Sequence, residues 1–314
     1  MNASTKVEWQ QHPERGSQFM LRVMLWLSRH LGRQVSRLVL YPIALYFLLF
    51  VPAARRASRQ YLARVFGRPA RLIEVFRHIF TFASTVHDRV YLLDGRDDLF
   101  KIEFVNRHWF DSPEGAILIG AHMGSFEALR SVGKTHARRH VSMLMYPENA
   151  RKINALLALV NPDAANDIIP LGQVDSMLTA QERLEAGHLV GMLADRSLPQ
   201  DTLRPCIFLG EPAAFALGPF RVAALLKKPV YFMAGLYLGK NRYRVHFDRL
   251  ADFSDTPRAG RDAAILAAQD RYVEILESLC RQAPYNWFNF FDFWSDDASS
   301  DHARTNPPDK ETAD

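Results

Sequence analysis

The chain has 314 residues, 48% hydrophobic and 23% charged, enough apolar side chain for a sizeable core, which excludes a disordered or collagen-like chain. The formal net charge is +5, yet residues 1–77 hold 13 basic against 3 acidic side chains, so the basicity belongs to the N-terminal quarter. Cys206 and Cys280 lie far apart with no partner motif, which excludes a disulfide scaffold and a cysteine-ligated zinc and fits a reducing compartment.

Apolar residues interleaved with the N-terminal arginines point to a membrane surface rather than nucleic acid. Over Phe19–Val35, Met20, Met24, Leu27, Leu31 and Val35 recur at helical spacing among Arg22, Arg29 and Arg33. The next run, Leu38–Ala54, has 17 uncharged residues between Arg37 and Arg55. A straight helix of that length reaches roughly 25 Å, against a hydrocarbon core near 30 Å. Pro42 predicts a kink. The pattern reads as an in-plane anchor feeding a short or re-entrant hydrophobic helix, and an internal helix of a soluble fold fits the same composition. Residues 1–68 are accordingly expected to form a basic membrane anchor.

Past Pro69, short apolar runs alternate with amphipathic stretches. Strands are predicted over Ala116–Ala121, Val141–Tyr146, Ile168–Leu171, Leu189–Leu193, Val230–Leu238 and Arg242–Phe247. Helices are predicted over Ser125–Ala137, Arg151–Val160, Val174–Ala186, Gly218–Leu226 and Arg261–Arg281. Strand and helix taking turns implies an α/β fold with a mainly parallel central sheet flanked by helices, spanning 69–294. Residues 295–314 carry six acids, two bases and a Pro-Pro pair, and read as a disordered acidic tail.

The strand Ala116–Ala121 runs into Gly120-Ala121-His122-Met123-Gly124-Ser125-Phe126-Glu127. Two residues five apart within one helix diverge by about 140°, so His122 meets Glu127 only from a loop ahead of the helix. There a carboxylate would fix the imidazole tautomer and a general base would result. Gly124 and Ser125 would offer backbone N–H groups to an oxyanion at the helix start. A helix-capping histidine and a solvated glutamate fit the same residues. Ser125 lacks the G-x-S-x-G elbow of a nucleophile, and no P-loop, H-E-x-x-H or G-x-G-x-x-G motif is present. The other histidines show no ligand spacing, so no metal site is expected.

In this order and spacing the motifs resemble the bacterial late acyltransferases of lipid A biosynthesis, within the lysophospholipid-acyltransferase-like group. The N-terminal apolar segment, the H-x4-D/E pair His122 and Glu127, Tyr146-Pro147-Glu148-Asn149, Ala194-Asp195-Arg196, and Phe208-Leu209-Gly210-Glu211-Pro212 with Gly218 carry the resemblance. Tyr146 stands where the family has arginine, and Leu171-Gly172-Gln173 where a basic residue is expected. The aromatic ending Tyr285–Trp294 resembles a subgroup associated with aryl-polyene pathways, and such a run also simply closes a core.

The resemblance implies an O-acyltransferase that moves a fatty acyl group from an acyl-carrier-protein or acyl-CoA thioester to a hydroxyl of a membrane lipid or glycolipid, lipid A-like or aryl-polyene-type. It implies His122 as base with Glu127 orienting it, Gly124, Ser125, Asn149, Asp195 and Arg196 binding substrate, and no metal or other cofactor. It places the protein at the bacterial inner membrane with its site on the cytoplasmic side, and implies no nucleic-acid partner. An acidic carrier protein would dock on arginines such as Arg55, Arg56, Arg59 and Arg64. A thioesterase or lipid hydrolase, and an inactive membrane scaffold of the same fold, are the competing readings.

Overall fold

The computed structural model describes residues 26, 28, 30–132, 140–146, 167–172, 174–197 and 201–294. The expected helix Arg151–Val160, most of Phe19–Val35, Asn149 and the acidic tail lie outside these residues.

Helical residues 30–36 lead into α1 (Leu40–Phe50), which is followed by α2 (Pro52–Phe66) and α3 (Leu72–Leu93). Pro42 sits in the first turn of α1, just after a 3-10 turn at Arg37–Val39, a position that tolerates a residue without an N–H. The chain breaks instead at Val51, and Pro52 starts the next helix. The helical run His30–Phe50 is long and apolar enough to cross a membrane, and only 17% of its most apolar stretch is buried in the molecule. Leu38, Tyr41, Leu45, Tyr46, Leu49 and Phe50 are all exposed on it.

That run is nevertheless tied to the body. Arg33 holds Asp88 of α3 with two parallel bonds of 2.8 Å, and Tyr243 donates to the same carboxylate at 2.9 Å. Arg33 thus turns inward rather than toward lipid headgroups, and Arg37 donates to the Tyr237 hydroxyl and to the Lys240 carbonyl. On α2, Ala57, Tyr61, Leu62 and Val65 are buried, so its apolar face belongs to the same core as the sheet.

The sheet has seven strands: β1 (Lys101–Val105), β2 (Ala116–Gly124), β3 (Val141–Met145), β4 (Ile168–Pro170), β5 (Leu189–Leu193), β8 (Pro229–Gly239) and β9 (Arg242–Asp252). Their order is β1-β9-β8-β2-β5-β3-β4. All neighbouring pairs are parallel except the hairpin β8–β9. Consecutive side chains of β2 enter opposite cores: Ile117 and Ile119 pack in one cluster, Ala116 and Leu118 in another. Around the sheet lie α4 (His108–Asp111), α5 (Phe126–Val132), α6 (Val174–Glu185), α7 (Gly218–Leu226) and α8 (Arg261–Gln282), with a separate hairpin of β6 (Leu203–Phe208) and β7 (Glu211–Ala216). The sheet is thus the expected one, extended by β1 at its edge.

Candidate active site

The central strands β2 and β5 end side by side, and their carboxyl ends carry His122 and Asp195. This is where ligands gather in parallel sheets. Beyond Gly120 the strand bulges: Gly120 and Gly124 pair with Met233 and Gly235, so four steps of β2 match two of β8. The bulge lifts His122 out of the regular ladder. Gly124 makes the return possible at φ +64°, since a Cβ there would lie 1.9 Å from the Gly235 carbonyl oxygen.

The bulged backbone finds its partners in the C-terminal aromatic segment. Phe288 N–H donates to the His122 carbonyl at 2.7 Å, and Gly124 N–H donates to the Asn286 carbonyl at 2.9 Å. The Asn286 amide in turn mimics a strand neighbour, exchanging hydrogen bonds with both backbone groups of Tyr237. Trp287 is fully buried between Tyr61 and Phe208. Its carbonyl takes a hydrogen bond of 2.7 Å from Nε2 of buried His78. Nδ1 of His78 therefore accepts from Ser58 at 2.8 Å, and burial lowers its pKa to about 4.

Asp195 is the hub. Its Oδ1 lies 2.8 Å from Nδ1 of His122, while Oδ2 accepts from the His122 backbone N–H, Trp287 Nε1 and Asn289 Nδ2, each at 2.9 Å. Burial alone would raise this carboxyl. The His122 ring, Arg196 and the backbone N–H outweigh it and hold it at about 2. An ionised Asp195 requires the proton of neutral His122 on Nδ1, leaving the Nε2 lone pair free. Nε2 has no protein partner among the described residues, and the His122 side chain is 30% exposed. Burial, with the charge of Arg196, lowers the His122 pKa below 6.5 against the pull of Asp195.

Three expected roles change. Glu127 does not orient His122: it pairs with Arg89 of α3 at 2.9 Å and takes a long contact of 3.5 Å from Ser125 Oγ. Starting α5 at Phe126 turns Glu127 toward α3, while Asp195 occupies the Nδ1 side of the ring. The N–H groups of Gly124 and Ser125 are not open to an oxyanion, because they already serve the Asn286 and Gly235 carbonyls. Both carboxylate oxygens of Asp195, expected to meet substrate, are instead committed to His122, Trp287 and Asn289.

Arg196 does border the site. Its Nε donates to Asn289 Oδ1 at 2.8 Å and a terminal nitrogen to the Phe288 carbonyl at 3.2 Å. Tyr146 donates to Asp201 at 2.9 Å. Trp287 and Asn289 escaped the sequence reading, where the only signal was two asparagines set among aromatics. Of the arginines expected to dock a carrier protein, Arg55 caps the last carbonyls of α1 and Arg64 lies 4.3 Å over the Trp294 ring. Arg56 and Arg59 make no hydrogen bond or ion pair among the described residues.

A comparison with protein-family models matches residues 5–295 to the family described as bacterial lipid A biosynthesis acyltransferase. A comparison with curated proteins finds no match.

Proposed function

The chain belongs to the bacterial lipid A biosynthesis acyltransferase family, and on that premise we propose that it transfers a fatty acyl group from a carrier-protein or coenzyme A thioester to a hydroxyl of a membrane lipid, with His122 as general base. The observation that carries this reading is the His122–Asp195 pair, with Nδ1 committed at 2.8 Å and Nε2 left open.

In the proposed step, the acceptor hydroxyl approaches Nε2 and gives up its proton as its oxygen bonds to the thioester carbon. Asp195, ionised beside Nδ1–H, stabilises the imidazolium that forms. The carbonyl π electrons move onto oxygen as the new carbon–oxygen bond forms, giving a tetrahedral oxyanion. Collapse re-forms the carbonyl and breaks the carbon–sulfur bond, and the Nε2 proton passes to the leaving thiolate. The products are an O-acyl ester and a free thiol.

The exposed run His30–Phe50 supports seating at the inner membrane, with the catalytic body on the cytoplasmic side where activated acyl thioesters are made. Mass spectrometry of lipids from cells expressing the protein tests the reading. A new O-acylated lipid, lost with His122→Ala, is expected; free fatty acid without acylated lipid would make the protein a hydrolase.

A further inference from the structure

Beside Arg196, a cleft of about 270 Å³ opens between α2, α3 and the aromatic segment. Its walls include Arg56 and Gln60 of α2, Phe82 of α3, and Arg196, Phe288 and Phe291. We propose that this cleft binds the phosphate group of an amphiphilic substrate, clamped between Arg56 and Arg196 with its apolar part on the phenylalanines.

Arg196 feels the charge of Asp195 but makes no ion pair among the described residues. No carboxylate lies within ion-pair distance of it among the described residues, and the neighbouring Asp195 is already taken up by His122, Trp287 and Asn289. Two neutral acceptors, Asn289 Oδ1 and the Phe288 carbonyl, fix its guanidinium instead. Burial accordingly lowers its pKa, a penalty that a bound anion would relieve. A fixed guanidinium fork suits phosphate oxygens. Arg56 supplies a second charge to the cleft, one with no ion pair among the described residues. Asp292 also lines it, so among the described residues two cations face one carboxylate.

The apolar walls set the rest of the ligand. Phe82 is 39% exposed and Phe288 buried, and Phe291 lies 5.8 Å from the Arg196 guanidinium. Ala53, Arg56, Ala57 and Gln60 in the first turns of α2, the helix that follows α1, line the cleft. A molecule with a phosphate and a hydrocarbon chain fits both halves, whereas inorganic phosphate would leave the phenylalanines wet. Because Phe288 and Arg196 border both cleft and His122, the clamp would hold a substrate within reach of the base. That last step rests on the acyl-transfer reading; the binding itself does not.

The test uses full-length protein in nonionic detergent, with dodecyl phosphate as probe and dodecyl maltoside as its uncharged counterpart, followed by titration calorimetry. Dodecyl phosphate is expected to bind saturably, in wild type and in His122→Ala alike, and Arg56→Gln to weaken it roughly tenfold or more, as loss of a charge-assisted contact does. Arg59→Gln, on the same helix outside the cleft, should leave affinity unchanged. Binding no tighter than the maltoside's, or equal losses in Arg56→Gln and Arg59→Gln, would overturn the proposal. Steady-state kinetics of Arg56→Gln then identify the source. A raised KM for the lipid acceptor alone assigns its phosphate, a raised KM for the thioester alone assigns the donor's, and no change in either overturns the substrate role.

Discussion

Asp195, 73 positions beyond His122, receives both the ring Nδ1 and the backbone N–H of that one histidine. The double contact fixes ring and backbone together, so the direction of Nε2 is set by two central strands rather than by a loop.

The histidine and aspartate should therefore behave as a unit. His122→Ala should lower acyl transfer by roughly 10²–10⁴-fold, as expected for a positioned general base. Adding Asp195→Ala to it should cost little more, because the second loss has no ring left to act on. Purified proteins with unchanged melting behaviour, assayed singly and doubly, check this; additive losses would separate the two residues.

Asp195 is oriented in turn by Trp287 and Asn289. Trp287→Phe keeps the buried ring and removes one donor, leaving Oδ2 with two donors in place of three. Removal should cost about 1–3 kcal/mol of stability. It should also raise the Asp195 pKa and lower kcat more than it raises either KM. A loss of stability with kcat intact would make Trp287 a packing residue only.

The pH profile follows from the two depressed histidines. For His122, the active form is neutral, so kcat/KM should stay flat down to pH 6.5 and fall only below it. For His78, the folded state resists protonation to about 4 while the unfolded chain takes a proton below about 6.5. More protons bind to the unfolded chain in that window, so stability is lost as pH falls from about 6.5 to about 4, by about 1.4 kcal/mol per pH unit. Melting curves across that window should be shallower in pH for His78→Gln, whose amide can still donate to the Trp287 carbonyl.

The strands β2, β5 and β8, the mainly parallel sheet and the position of His122 at a strand's carboxyl end were legible because these strands are buried on both faces and read as continuous apolar runs. Edge strand β1, with Lys101 and Glu103 exposed, carries no such run and escaped notice. The partner of His122 was misread for a different reason. Local spacing favoured Glu127, five residues away, while the contact that forms crosses from β2 to β5 and depends on the bulge at Gly120–Gly124. Trp287 and Asn289 were hidden likewise, since only the pairing of Phe288 with His122 brings them to Asp195.

Membrane seating is best tested without deletion. Removing residues 1–60 would strip Ala57 and Ser58 from the core and leave buried Asp88 without Arg33. Replacing exposed Leu45, Leu49 and Phe50 together with glutamine leaves those contacts in place. The triple variant should remain folded and shift from the membrane to the soluble fraction, and unchanged membrane retention would contradict the role given to this face.

The central claim is that Asp195, and not Glu127, holds the base. Single-turnover acyl transfer by Asp195→Asn and Glu127→Gln decides it. An asparagine at 195 cannot accept from His122, Trp287 and Asn289 at once without setting its own NH₂ against a donor, so its rate should fall at least about 10²-fold. Glu127→Gln removes a partly exposed ion pair to Arg89 and should cost less than about tenfold. The reverse order, with Asp195→Asn near wild type and Glu127→Gln inactive though folded, would contradict the account.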